Sequence, residues 1–152
     1  MKRSQQIGVY MENNAMIRLK GKQMVDGENF DMELVTEGVY QFFGNGCTVD
    51  YEETEVTGME NTKTNLTVDG SEVILTRSGA NNSRLMFKSG QKYSGHYDTP
   101  YGAFTISVLS NHVVADIDAH GGRIAVDYLL EMDNVVSSAN EFEMVITQLE
   151  RT

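Results

Sequence analysis

Along most of this chain apolar and polar residues alternate with a period of two, as in Thr62-Lys63-Thr64-Asn65-Leu66-Thr67-Val68 and in Val113 to Ala119. Successive side chains of a strand point to opposite faces, so this alternation marks strands with one face buried. No segment sustains the i, i+3, i+4, i+7 apolar stripe of a helix, and β-branched and aromatic residues concentrate where the period is two. The pattern predicts strands over Ala15–Met24, Phe30–Phe43, Cys47–Thr54, Thr62–Val68, Glu72–Ser78, Ser83–Lys88, Lys92–Asp98, Ala103–Leu109, His112–Ala119, Gly122–Met132 and Glu141–Gln148. Between them lie glycines, singly or in pairs. Asn45-Gly46 and Asp69-Gly70 suit two-residue hairpin turns, and Ser110-Asn111 and Gly121-Gly122 can serve in the same way. Short connections make sequence neighbours antiparallel partners, and a flat sheet of about ten strands would leave two long open edges. The expected fold is therefore all-β, a closed up-and-down antiparallel barrel of about ten strands formed by residues 15–152, preceded by a flexible segment, residues 1–14.

The two glycine turns set a register. With Asn45-Gly46 as the bend, Phe42 falls opposite Val49, Tyr40 opposite Tyr51 and Gly38 opposite Glu53. With Asp69-Gly70 as the bend, Leu66 falls opposite Val73, Thr64 opposite Leu75 and Thr62 opposite Arg77. This face carries the apolar residues and so points inward, grading from greasy to polar toward one rim where Glu53, Thr62, Arg77 and Tyr97 converge. An unpaired charge inside a barrel costs several kcal/mol, so Glu53 and Arg77 are expected to pair or to share water. Two readings of that rim stand side by side. One is a structural ion pair that plugs the barrel end. The other is the polar mouth of an apolar cavity, with the gap at Gly38 providing room.

Composition narrows the partners. The 152 residues hold 12 Lys and Arg against 22 Asp and Glu, a formal net charge of −10. Binding to a polyanion needs clustered cations, and the twelve here are scattered, so neither nucleic acid nor membrane is expected as a partner. One cysteine, Cys47, permits no intramolecular disulfide and no multi-cysteine zinc site. No run approaches the 18 apolar residues of a spanning helix and no signal-peptide pattern is present, which makes a cytoplasmic location the expectation.

The run Tyr51-Glu52-Glu53-Thr54, then Gly58, Thr62-Lys63-Thr64, Val73-Ile74-Leu75-Thr76-Arg77-Ser78-Gly79 and Tyr97-Asp98-Thr99-Pro100-Tyr101-Gly102, resembles the YwiB-like family of bacterial β-barrel proteins placed with the calycins. The resemblance spans about Ala15 to Gln148 and implies a closed, lipocalin-like antiparallel barrel of about ten strands. It implies no activity, since that family is uncharacterised, and it supplies no catalytic residue. The segment 1–14 has no place on its pattern.

Other signals have plainer explanations. Thr99-Pro100-Tyr101-Gly102 is a tight turn by its chemistry, and the sharper expectation is that it holds Tyr101 over the mouth beside Tyr97. His112, Asp116, Asp118 and His120 are metal-capable and alternate along one strand, but they point to solvent and lie about 7 Å apart, too far to share one ion; His96 also faces outward. Glu52, Glu53, Glu55 and Glu60 do not place a second carboxylate beside Glu53, and no nucleophile motif, phosphate loop or Rossmann fingerprint is present. No cofactor, metal or catalytic residue is expected. Nine methionines, among them Met16, Met24, Met32, Met132 and Met144, serve equally as interior filler or as lining of a plastic cavity.

These readings lead to a barrel that binds a small, partly apolar molecule, with an enzyme using the same pocket as a further option. The expected site residues are Tyr40, Tyr51, Glu53, Thr62, Thr64, Arg77, Tyr97 and Tyr101, with Leu66 and Leu75 as apolar lining. An arginine there would suit a carboxylate or phosphate on the ligand. The competing expectation is a packed interaction protein whose acidic surface or sheet edge engages a basic partner or a second copy in a homodimer.

Overall fold

The computed structural model describes residues 12–133 and 135–150. They form ten antiparallel strands: β1 (Ala15–Val25), β2 (Glu28–Phe42), β3 (Gly46–Glu52), β4 (Thr62–Asp69), β5 (Glu72–Gly79), β6 (Asn82–Phe87), β7 (Lys92–Thr99), β8 (Gly102–Asp118), β9 (Gly121–Met132) and β10 (Val135–Gln148). Each strand pairs with its sequence neighbours and β10 pairs with β1, which closes the barrel. There is no helix among the described residues.

Alternation does most of the folding work. Inward positions such as Ile17, Val49, Leu66, Val73, Phe87, Val108, Ile124 and Met144 are fully buried, each worth about 1.5–3 kcal/mol of apolar burial. Outward positions carry charge, as in Arg18 facing Glu33 and Arg123 facing Glu143 on neighbouring faces of the wall. Together the buried side chains pack the end of the barrel that holds the β2–β3, β4–β5 and β8–β9 turns.

Several expectations change. Ser110-Asn111 is not a turn: the two strands expected on either side of it are the single 17-residue β8, and the register slips between Ser110 and His112 as a bulge. A bulge bends a strand without reversing it, and here it lets β8 leave β7 at Leu109 and continue along β9. Gly121-Gly122 is likewise the start of β9, and the β8–β9 turn lies at Ala119-His120.

The hairpin registers are each displaced by two residues. Phe43 N–H donates to the Gly46 carbonyl at 2.8 Å, so the turn residues are Gly44-Asn45; Asp69 pairs with Glu72, so the next turn is Gly70-Ser71. In both, the first turn residue is a glycine with positive φ, +91° and +61°, which fits the II′ geometry rather than the I′ geometry assumed from Asn-Gly and Asp-Gly. A shift of two keeps every side chain on its face but changes its neighbours. Val49 therefore faces Tyr40, Leu66 faces Leu75, and Thr64 faces Arg77.

Gly38 is not a gap. A β-carbon there would sit 2.4 Å from the Asp50 carbonyl and 2.5 Å from Ile17 Cδ1, so the position is glycine because β3 and Ile17 already occupy the space. Of the segment expected to be flexible, residues 1–11 lie outside the described residues. Asn14, at its end, bonds to the barrel: its side chain donates to the Tyr40 carbonyl at 3.0 Å and accepts from Tyr40 N–H at 2.7 Å, while its carbonyl accepts from Leu149 N–H at 2.8 Å.

Candidate functional site

Strand lengths decide where the interior stays open. β2 has 15 residues but pairs with β3 only from Val39 to Phe42. From Glu28 to Gly38 its other edge has no strand beside it among the described residues, and residues of the long β3–β4 connection, Val56, Thr57 and Met59, line the same space as Phe30 and Met32. Behind it lies a cavity of about 360 Å³. Leu19, Leu66, Leu75, Met144 and Phe142 supply apolar wall, and Gly21 contributes no side chain where β1 passes. The inner floor is aromatic: Phe87 packs on Tyr128 at 4.9 Å and on Phe142 at 5.8 Å between ring centroids.

Of the four charged residues that line this space, Lys22, Asp31, Arg77 and Glu141, Arg77 alone is not exposed. Arg77 lines the cavity with its side chain 18% exposed, and its Nε lies 3.6 Å from Glu53 Oε2. Glu53 follows the end of β3 and its side chain is fully buried. Thr57 Oγ1 donates to Glu53 Oε1 at 2.9 Å and Thr64 Oγ1 donates to Glu53 Oε2 at 2.5 Å, so the carboxylate accepts from hydroxyls on both oxygens as well as facing a cation. Arg77 is less well served. Its Nε is buried with no hydrogen-bond partner among the described residues. The hydroxyl of Tyr51 engages Glu53 and Thr64, and burial, reinforced by the Glu53 charge, pushes its pKa well up. Tyr128 is raised as well, again by burial, with Arg77 pulling the other way. Both phenols are neutral at physiological pH.

Residues 17–144 match the profile of a family described as a domain of unknown function, DUF1934. The chain belongs to that family. It is 28% identical over 120 residues to the uncharacterised β-barrel protein YwiB of Bacillus subtilis (strain 168), a match covering 78% of this chain and 83% of YwiB. The crystal structure of the ywiB protein from Bacillus subtilis superposes with a TM-score of 0.80 at 21% identity, over 91% of this chain and 93% of that one. The family thus carries the closed antiparallel barrel, and its shared description assigns no activity.

The expected site residues separate into groups. Tyr51 and Arg77 line the cavity; Glu53 and Thr64 sit directly behind Arg77, joined to it and to each other. Thr62 looks elsewhere, its hydroxyl accepting from the Asn81 backbone at 3.2 Å and side chain at 3.0 Å. Tyr97 pairs with Ser83 and packs against the core without reaching the cavity. Tyr101 does not cover the mouth: it is 95% exposed at the β7–β8 turn, where Thr99 binds its backbone N–H at 3.0 Å. Tyr40 is at the opposite end of the barrel, donating to the Asp118 carbonyl at 2.6 Å. Leu66 and Leu75 line the cavity as expected apolar wall.

The shift of two accounts for part of this. It moves Arg77 beside Thr64 and leaves Thr62 next to Gly79 and Asn81. The lining from β1, β2, β9 and β10 was not legible from local turns, because those strands meet the Arg77 region only through closure of the ring. One signal was available: Gly21, isolated between Lys20 and Lys22 inside a strand pattern, marks a place where side-chain volume is missing. His112, Asp116 and Asp118 lie on β8 and His120 on its turn, and no three metal-capable side chains cluster among the described residues.

Proposed function

We propose that this protein binds a small, partly apolar molecule inside the barrel, with the ligand's polar end meeting Arg77. The observation that carries this reading is a partly buried guanidinium whose Nε has no hydrogen-bond partner among the described residues, at the edge of a largely apolar 360 Å³ cavity. That volume lies in the range of small-ligand sites, and the combination of apolar walls with a few convergent polar groups is their usual layout. Nothing in the constellation supplies a nucleophile with a base, so the role is holding rather than converting. The charged outward faces are the reverse of a membrane barrel's apolar girdle, and we assign the protein to an aqueous compartment, the cytoplasm.

The test is uptake of N-phenyl-1-naphthylamine, an uncharged fluorophore that brightens in apolar surroundings. Saturable one-to-one binding to the wild type is expected, together with its loss in Gly21→Leu. A β-carbon at Gly21 meets only the flexible Met32 methyl, at 3.3 Å, so this variant fills the cavity without touching the backbone. Absence of saturable binding, or equal binding by a folded Gly21→Leu, refutes the reading.

A second reading draws on the exposed apolar residues Phe30, Val56, Tyr101 and Val135, which lie on connections and strand ends at the same rim as the mouth. Here the rim engages a protein partner or a second copy. Concentration-dependent dimerisation in analytical ultracentrifugation that is abolished by Phe30→Ser would favour it over ligand uptake.

A further inference from the structure

The charge inventory around the cavity narrows the kind of molecule that fits, granted that the barrel binds a small molecule at all. Arg77 invites an anion when considered alone, but its charge is already matched. Glu53 lies 3.6 Å away, fully buried and held by two threonine hydroxyls, so it cannot swing aside without abandoning those bonds. The other charged residues lining the cavity are Lys22, Asp31 and Glu141. Lys22 is in register with both acids, Asp31 on β2 and Glu141 on β10. Two cations thus stand against three carboxylates, a local balance of one negative charge in a chain of net charge −10.

Hydrogen-bonding capacity is skewed the other way. Arg77 Nε is buried without a hydrogen-bond partner among the described residues, and Tyr128 lines the same space. Arginine has donors only. The carboxylate that could have received a ligand's proton, Glu53, is taken up by Thr57 and Thr64. The floor is therefore rich in donors without carrying net positive charge. An incoming carboxylate or phosphate would add a second uncompensated negative charge in a partly dehydrated space. An uncharged carbonyl satisfies the donors and leaves the charge balance untouched.

We propose that the cavity selects uncharged molecules with an apolar body and one hydrogen-bond-accepting carbonyl, such as a ketone, ester or amide, and discriminates against the matching anions. Glu53 sets this preference by neutralising Arg77 from behind.

Two probes of nearly equal shape test it: 2-acetylnaphthalene, a neutral ketone, and 2-naphthoate, in which a carboxylate oxygen replaces the methyl. Binding to the wild-type protein at neutral pH is followed by calorimetry and by the Arg77 Nε–H resonance in NMR. The ketone is expected to bind about tenfold or more tightly than the carboxylate and to shift the Arg77 signal. Arg77→Met should remove the preference. Glu53→Gln should reverse it, with naphthoate tightening about tenfold or more. The paired rim change Asp31→Asn with Glu141→Gln, both at exposed positions, should tighten naphthoate severalfold at low salt whether or not Glu53→Gln folds.

Naphthoate binding the wild type as tightly as the ketone overturns the proposal, as does an unchanged preference in both charge variants. A ketone that fails to bind a protein still taking up N-phenyl-1-naphthylamine overturns it too, leaving the ligand-binding reading in place. If none of the three probes binds, both readings fall.

Discussion

The Glu53–Arg77 pair can be tested energetically without any ligand, through a double-mutant cycle with Glu53→Gln and Arg77→Met. At 3.6 Å and an effective dielectric constant of about 20, opposite unit charges attract by about 4–5 kcal/mol before the cost of removing both from water. Breaking a buried pair by deleting one partner costs about 3–5 kcal/mol, because the other charge is left stranded. Arg77→Met should lie near the lower bound, about 3 kcal/mol, since the orphaned carboxylate keeps its bonds from Thr57 and Thr64. Glu53→Gln should cost less, about 1–2 kcal/mol, because Arg77 remains 18% exposed and can turn toward water in the cavity. With both charges gone nothing is stranded, so the double variant should lose less than the sum of the singles by about 1–3 kcal/mol. Urea unfolding with linear extrapolation gives all four stabilities, provided the slope stays constant across the set. Additivity within about 0.5 kcal/mol would refute the reasoning, for it would mean that the two side chains do not interact in solution.

Other consequences are simpler to check. Gly38→Ala should destabilise by about 1–3 kcal/mol or more in the same urea assay, because its new methyl meets the Asp50 carbonyl and Ile17; a change under about 0.5 kcal/mol would show that β2 and β3 are further apart. Gly21→Leu, by contrast, should leave the melting temperature unchanged or raise it, since it replaces a strand glycine beside empty volume. Burial pushes the Cys47 thiol up from 9.0 to about 11, against lowering by bonds from Val68 and Tyr40, and burial also pushes Tyr40 up to about 12. The unfolded chain therefore loses these protons first, so stability should be flat below about pH 9 and fall as pH rises through about 11, with Cys47→Ala flattening the early part of that fall in pH-dependent unfolding. Tyr40→Phe should cost about 1 kcal/mol through loss of the bond to the Asp118 carbonyl, measured as a lowered urea midpoint.

The residues themselves show which parts of this molecule could be read in advance. Alternation alone gave the faces: Leu66 and Val68 point inward because their neighbours Asn65, Thr67 and Asp69 are polar, Val73 and Leu75 follow by pairing with them, and a displacement by two leaves that unchanged. It also put Glu53 and Arg77 on a common interior, where electrostatics requires them to meet. The turn between β1 and β2 was just as legible, with Asp26 and Gly27 both at positive φ as a type I′ turn demands, but it sat outside the two glycine bends on which the register was built. Ser110-Asn111 was ambiguous in principle, because the same polar pair suits a turn or a bulge, and only continued pairing of β8 along β9 separates them.

What the linear chain determined, then, was the class of fold, the two faces of each strand and one ion pair, since these depend on periodicity and on the cost of lone buried charge. Only the tertiary structure decided that β2 overshoots β3 and that Gly21, Met32, Tyr128 and Phe142 share a cavity with Arg77. Those relations depend on strand length and ring closure between residues more than a hundred positions apart, and no local pattern encodes a distance of that kind.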